Sequence, residues 1–131
     1  MPVTRLFEHS ADAKDVAAGT TIFRVGDPRD FLYAVVEGQV DLFVNDSLVE
    51  TVEKGGIFGE MALIDKDNRI GTAVARTNAK VVPVDEQRFL FLIQQTPNFA
   101  IHVMRVLSDR LRRMDERLRL GTSVTKVLTE K

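Results

Sequence analysis

The spacing of apolar and polar positions changes once along this chain, near Asp85. Before it, apolar residues fall in short runs or alternate with polar ones. Thr21, Ile22, Phe23, Arg24 and Val25 form one such run, closed by Gly26, Asp27 and Pro28, residues that end a strand and start a turn. The run from Phe31 to Val36 meets Glu37 and Gly38, and Val40, Leu42 and Val44 then alternate with Gln39, Asp41 and Phe43 up to Asn45 and Asp46. Leu48 to Val52 predicts a further strand, stopped by Lys54, Gly55 and Gly56, and Thr72 to Arg76 and Ala79 to Asp85 predict another pair around Thr77 and Asn78. Short strands at this spacing point to an antiparallel, mainly β sandwich or barrel.

Beyond Asp85 the period becomes helical. Phe89, Leu90, Leu92 and Ile93 predict a short amphipathic helix ended at Thr96 and Pro97. From Asn98 to about Leu120, the residues Met104, Leu107, Leu111, Met114 and Leu118 recur at steps of three and four, the seam of a long helix. At about 30 Å it is too long for a small β unit to cover, so part of it is expected to meet a second copy. Gly121 predicts its stop, with a frayed polar tail from Thr122 to Lys131. A helical turn is expected between Thr4 and His9. The expected organisation is one domain over residues 1–131, with the β part at about 18–85 and the helices at about 86–120.

Composition narrows the chemistry. With 18 basic and 19 acidic side chains there is no overall field to draw nucleic acid or an anionic membrane, so any anion site must be local. The arginines after residue 104 are interleaved with Asp109, Asp115 and Glu116, a solvated face of helical ion pairs. No cysteine is present, which excludes disulfides and thiolate chemistry and fits the cytoplasm. No apolar stretch is long enough for a membrane helix. His9 and His102 are the only histidines and lie far apart, so neither a metal site nor a hydrolytic triad is expected, and the chain reads as a non-enzyme.

The informative interruption is Ile57, Phe58, Gly59, Glu60, Met61, Ala62, Leu63 and Ile64, then a polar loop to Asn68, then Arg69, Ile70 and Gly71. A helical turn starting near Gly59 aims free backbone N–H groups at whatever lies before it, and Gly59 lets a ligand approach the main chain. Arg69 can return a guanidinium to the same place. Glu60 beside an anion is repulsive unless it accepts from ligand hydroxyl groups, a need that a ribose meets.

These residues resemble the cyclic nucleotide-binding domains of catabolite activator protein, protein kinase A regulatory subunits and gated channels. The match centres on Phe58 to Leu63 followed by Arg69 and extends to the Gly26 to Pro28 turn, the Leu32 to Val40 hairpin, the Gly55 turn and Ala75 to Thr77. The resemblance implies an antiparallel double-stranded β-helix, a jelly-roll or cupin-like β-roll, with terminal helices and a long last helix serving as hinged lid and dimer seam. It implies that Arg69 pairs with the cyclic phosphate of cyclic AMP or cyclic GMP, that Glu60 takes the ribose 2′-hydroxyl, and that Gly59, Met61, Ala62, Ile70 and Gly71 belong to the same cassette. Val49 and Val52 are implied as an apolar wall beside the base, with Ala73 opposite and Arg110 and Met114 reaching the base from the long helix.

One departure stands out. The family places a small or hydroxylated residue after the arginine, and this chain has Ile70, which removes a contact worth about 1 kcal/mol. A β-roll without ligand, kept for structure or protein contacts, is therefore the competing reading. A third is the sensor portion of a transcription regulator, although the stretch after Gly121 is too short for a helix-turn-helix, so no DNA binding by the chain itself is expected.

Overall fold

The computed structural model describes residue 7, residues 10–60 and residues 68–129, with side chains as far as Arg113. Eight strands are seen among the described residues: β1 (Lys14–Val16), β2 (Thr21–Phe23), β3 (Leu32–Glu37), β4 (Val40–Val44), β5 (Ser47–Val52), β6 (Ile57–Phe58), β7 (Thr72–Ala75) and β8 (Ala79–Val84). They pair antiparallel into two four-stranded sheets, ordered β1-β8-β3-β6 and β2-β7-β4-β5. Two helices follow, α1 (Glu86–Gln95) and α2 (Asn98–Thr129). The architecture is the β-roll with C-terminal helices.

Alternation along the first sheet builds two cores. Leu32, Ala34, Val36, Ile57, Val82 and Val84 face the helices and pack with Phe7, Phe99 and Val103. Val35, Phe58, Ala79 and Val81 point the other way and pack with Val40, Val52, Ala73 and Ala75 between the sheets. A strand covered on both faces reads as a continuous apolar run, which explains β3. It also explains β6, whose two residues each serve a different core.

Turn chemistry fixes the register. Asn45 and Asp46 both adopt left-handed φ, 52° and 64°, in the two-residue loop that joins β4 to β5, the turn that suits twisted strands. Leu42 opposes Glu50 while Phe43 opposes Leu48, so Val49 is an extra residue that bulges from β5. Ahead of β3, the Asp27 carboxylate accepts from the Arg24 N–H at 2.9 Å and tightens the turn through Gly26. Asp85 caps α1 by accepting from the Arg88 N–H at 2.8 Å.

Three features differ from the sequence expectation. Strands β1 and β6 were not expected; both are very short and owe their form to pairing with β8 and β3. The predicted strand over Thr21–Val25 ends at Phe23, because Arg24 already belongs to the Asp27 turn. The long helix does not stop at Gly121 or fray from Thr122; it continues to Thr129. One interior glycine costs about 1 kcal/mol against alanine, too little by itself to end a long helix. Of the turn expected near the N-terminus, Phe7 is helical and fully buried, and the rest lies outside the described residues.

Candidate functional site

The roll places one charged group over the face of an aromatic ring. Arg69 precedes β7 and is only 5% exposed. Its guanidinium carbon lies 4.0 Å from the centroid of the Phe23 ring, and Phe23 in turn packs on Tyr33 and Phe58. Its Nη1 donates to the Gly59 carbonyl at 3.2 Å and its Nη2 to the Phe31 carbonyl at 2.5 Å, whereas Nε is buried without a hydrogen-bond partner. Burial pushes the Arg69 pKa below the ordinary arginine value, and the nearby positive charge of Arg29 adds to that against the opposing influence of Tyr33. No ion pair to a carboxylate is seen for Arg69 among the described residues, so its charge is solvated by carbonyl oxygens and a ring face.

Gly59 holds φ at +75°, and a Cβ there would sit 2.8 Å from Arg69 Nη1 and 3.2 Å from the Phe31 carbonyl oxygen. The backbone and the guanidinium thus meet at a distance that only glycine allows. Glu60, 6% exposed, follows directly.

The carboxylate of Glu60 is already engaged. Arg110 reaches it from α2 at 2.7 Å and grips Glu50 with two parallel contacts, Nε to Oε1 at 3.0 Å and Nη2 to Oε2 at 3.1 Å. Arg110 also donates to the Ile57 carbonyl, and Arg113 lies 3.3 Å from Glu50. Burial alone would lower the Arg110 pKa; its hydrogen bonds to Glu50 and the charge of Glu60 outweigh it and hold the guanidinium above its ordinary value. The helix is therefore tied to β5 and to the residue after Gly59 by one side chain.

Beside these groups lies a cavity of about 270 Å³, lined by Arg29, Gly59, Glu60, Arg69 and Arg110, by apolar side chains of the β2-β7-β4-β5 sheet, and by Leu107 and Leu111 of α2. A mostly apolar hollow with a few polar groups is the usual form of a small-molecule site, although this one lies just below the common range of about 300–1,000 Å³.

Residues 13–96 match the sequence profile described as the cyclic nucleotide-binding domain. The chain belongs to this family. The domain is 36% identical over 109 residues to the cAMP-dependent protein kinase regulatory subunit of Candida albicans, covering 76% of the chain but only 24% of that protein's length. Among solved structures it resembles the catabolite activator protein of Thermus thermophilus at a TM-score of 0.74 and 30% identity, over 84% of the chain and 54% of the other. It also resembles CLP of Xanthomonas campestris, a regulator described as responsive to c-di-GMP, at a TM-score of 0.74 and 26% identity, over 92% and 63% respectively. Among the described residues no helix is long and apolar enough to cross a membrane.

The residues singled out in the sequence fall into three groups. Gly59, Glu60, Arg69, Ile70, Gly71, Val49 and Arg110 line the one cavity. Ile70 stands at its edge, 63% exposed. Val52 and Ala73 do not line it; both are buried between the sheets. Val49 and Val52 are three residues apart, and a regular strand sends such residues to opposite faces. Met61 and Ala62 lie outside the described residues, as does the side chain of Met114.

The sequence reading missed Phe23, Glu50 and Arg29. Phe23 was legible only as an apolar strand residue, since nothing local marks it as the ring beneath Arg69. Glu50 is a charged strand residue and Arg29 a charged loop residue, both of kinds that are solvated by default. The bulge at Val49 and the Gly26 turn are what bring them inward.

Proposed function

We propose that this domain binds cyclic AMP reversibly in the cavity beside Arg69, performs no chemistry on it, and signals occupancy through α2. The observation that carries the reading is the buried Arg69 guanidinium, with its unpartnered Nε, converging with the Gly59 main chain and the Glu60 carboxylate on one hollow. An anionic phosphate meets the guanidinium and a ribose hydroxyl meets the acid. Cyclic AMP is preferred to cyclic GMP because the Candida albicans relative is named for the former. The modest cavity favours a mononucleotide over a cyclic dinucleotide.

The ribose contact to Glu60 competes with Arg110, so ligand binding alters what α2 holds. The long helix, with Met104 and Leu111 exposed, is the surface for a homodimer. We place the domain in the cytoplasm, acting without direct contact to DNA or membrane.

A ligand-free structural or interaction domain is the second reading. It is favoured by the way protein groups alone engage the site, through two carbonyls on Arg69 and Arg110 on Glu60. Calorimetric titration with cyclic AMP and cyclic GMP separates the two. Cyclic AMP is expected to bind, and Arg69→Ala to weaken it by roughly 1.5–3 kcal/mol, with Glu60→Gln also weaker. Heat from neither nucleotide sinks the ligand-binding reading.

A further inference from the structure

Ile22 and Phe23 are consecutive residues of β2, and a regular strand would send them to opposite faces. Both nevertheless pack against the core between the sheets. The pairing with β7 explains how. Thr21 opposes Val74 and Phe23 opposes Ala73, so β2 carries one residue more than its partner over this step and the register shifts. The bulge brings the Phe23 ring to the start of β7, where it meets Arg69.

This ring touches each part of the site. It lines the cavity, and the guanidinium carbon of Arg69 lies 4.0 Å from its centroid. A Cβ on Gly59 would come within 3.4 Å of its edge. Phe58 and Tyr33 stack on each other at 5.1 Å with an interplanar angle of 13°, and their centroids lie 5.9 Å and 6.1 Å from that of Phe23. Packed in this way, the Phe23 ring has little room to swing aside.

A ring and a carbonyl hold a guanidinium differently. The Gly59 and Phe31 carbonyls each take an N–H of Arg69, a donor that an anion would otherwise use. A ring face takes none. It attracts the cation through its quadrupole, and neither neutralises the charge nor occupies a donor, whereas a carboxylate in the same place would do both. It also keeps water from one side of the charge, which strengthens the interactions made on the other.

We propose that Phe23 is a positioning residue of the ligand site, its ring holding the Arg69 guanidinium beside the cavity as a full charge, so that the phosphate of the ligand meets a cation already in place. The inference rests on the cavity being a cyclic nucleotide site. Affinity then depends on the negative face of the ring, which an aliphatic side chain of similar bulk does not supply.

The test replaces Phe23 by leucine and, through site-specific incorporation, by phenylalanine carrying one, two or three ring fluorines, which drain the negative face with little change of shape. Cyclic AMP binding is read by calorimetry at a temperature where each variant is folded. Phe23→Leu is expected to bind about tenfold more weakly, and the fluorinated series to lose affinity stepwise toward the same endpoint. A purely structural role gives a flat series, because fluorinated rings still fill the space. That result overturns the proposal whatever leucine does, as does wild-type affinity in Phe23→Leu. If Phe23→Leu does not fold, the fluorinated series decides alone. A wild-type chain that binds no cyclic nucleotide removes the cyclic nucleotide reading and this inference with it, whereas binding indifferent to ring fluorination removes only the latter.

Discussion

Arg110 and Glu60 are fifty positions apart in sequence and 2.7 Å apart in space, and this ion pair joins α2 to the residue that follows Gly59. The same guanidinium grips Glu50 on β5, so two acids of the roll share one cation of the helix. All three side chains are largely buried, which makes the arrangement sensitive to removal of any member.

Replacing Arg110 by Ala removes the cation that Glu50 and Glu60 share and leaves Glu50 only the more exposed Arg113. Stability is expected to fall by roughly 3 kcal/mol, read as a lower urea midpoint. Arg110→Ala combined with Glu50→Gln should lose less than the two single changes together, because one of the stranded charges is gone. A loss below about 0.5 kcal/mol for Arg110→Ala alone puts the pair in the class of solvated surface bridges and counts against a coupled helix.

Gly59→Ala attacks the same site from the main chain. A methyl group would lie 2.8 Å from Arg69 Nη1, in a backbone conformation that L-residues adopt at a cost of about 1–2 kcal/mol. The guanidinium has to move off the Gly59 carbonyl, so cyclic AMP affinity is expected to drop by more than about tenfold, while circular dichroism still reports a folded roll. Unchanged affinity in calorimetry places the ligand elsewhere.

How far the sequence foretold these contacts depends on the distance over which each is decided. Alternation in Val40 to Val44 and the Asn45 and Asp46 pair were enough for the β4–β5 hairpin, because both signals are local. Strand β1 carries Lys14 and Asp15 outward and has no apolar period of its own, so only pairing with β8 makes it a strand. Gly59, Glu60 and Arg69 could be singled out because an anion site needs them close together at one turn. Glu50 and Arg29 were not, since their burial follows from a bulge and a turn whose consequences appear only when distant strands are laid together. Gly121 shows the opposite error, a local stop signal given more weight than the helix around it.

His102 offers a pH readout of the helix independent of any ligand. Its pKa is lowered from the ordinary 6.5, by burial first and then by neighbouring positive charge that includes Arg105, and its Nε2 is buried without a partner. The folded state thus holds fewer protons than the unfolded chain once pH falls through 6.5. The sign follows: the stability that neutral His102 permits is present above pH 6.5 and is lost as pH drops below it. The urea midpoint should decline between pH 7.5 and 5.5, and His102→Leu should flatten that part of the curve. An equal decline in His102→Leu assigns the effect to other groups.

Leu111 is 66% exposed and Met104 59% exposed on α2, while Leu107 between them packs against the core. The three do not form one face of a helix covered by the roll; the seam divides, with Leu107 turned inward and its neighbours left in water. Two exposed apolar side chains seven positions apart, about two helical turns, are spaced as a helix pair requires. If α2 pairs with a second copy, sedimentation equilibrium should give a dimer, and Leu111→Glu should shift it to monomer by placing like charges across the seam. The melting temperature of the monomeric variant should then depend less on protein concentration than that of the parent. A parent that sediments as a monomer at high concentration, with Leu111→Glu indistinguishable from it, leaves Leu111 and Met104 as ordinary exposed residues and returns the role of α2 to the Arg110 contact alone.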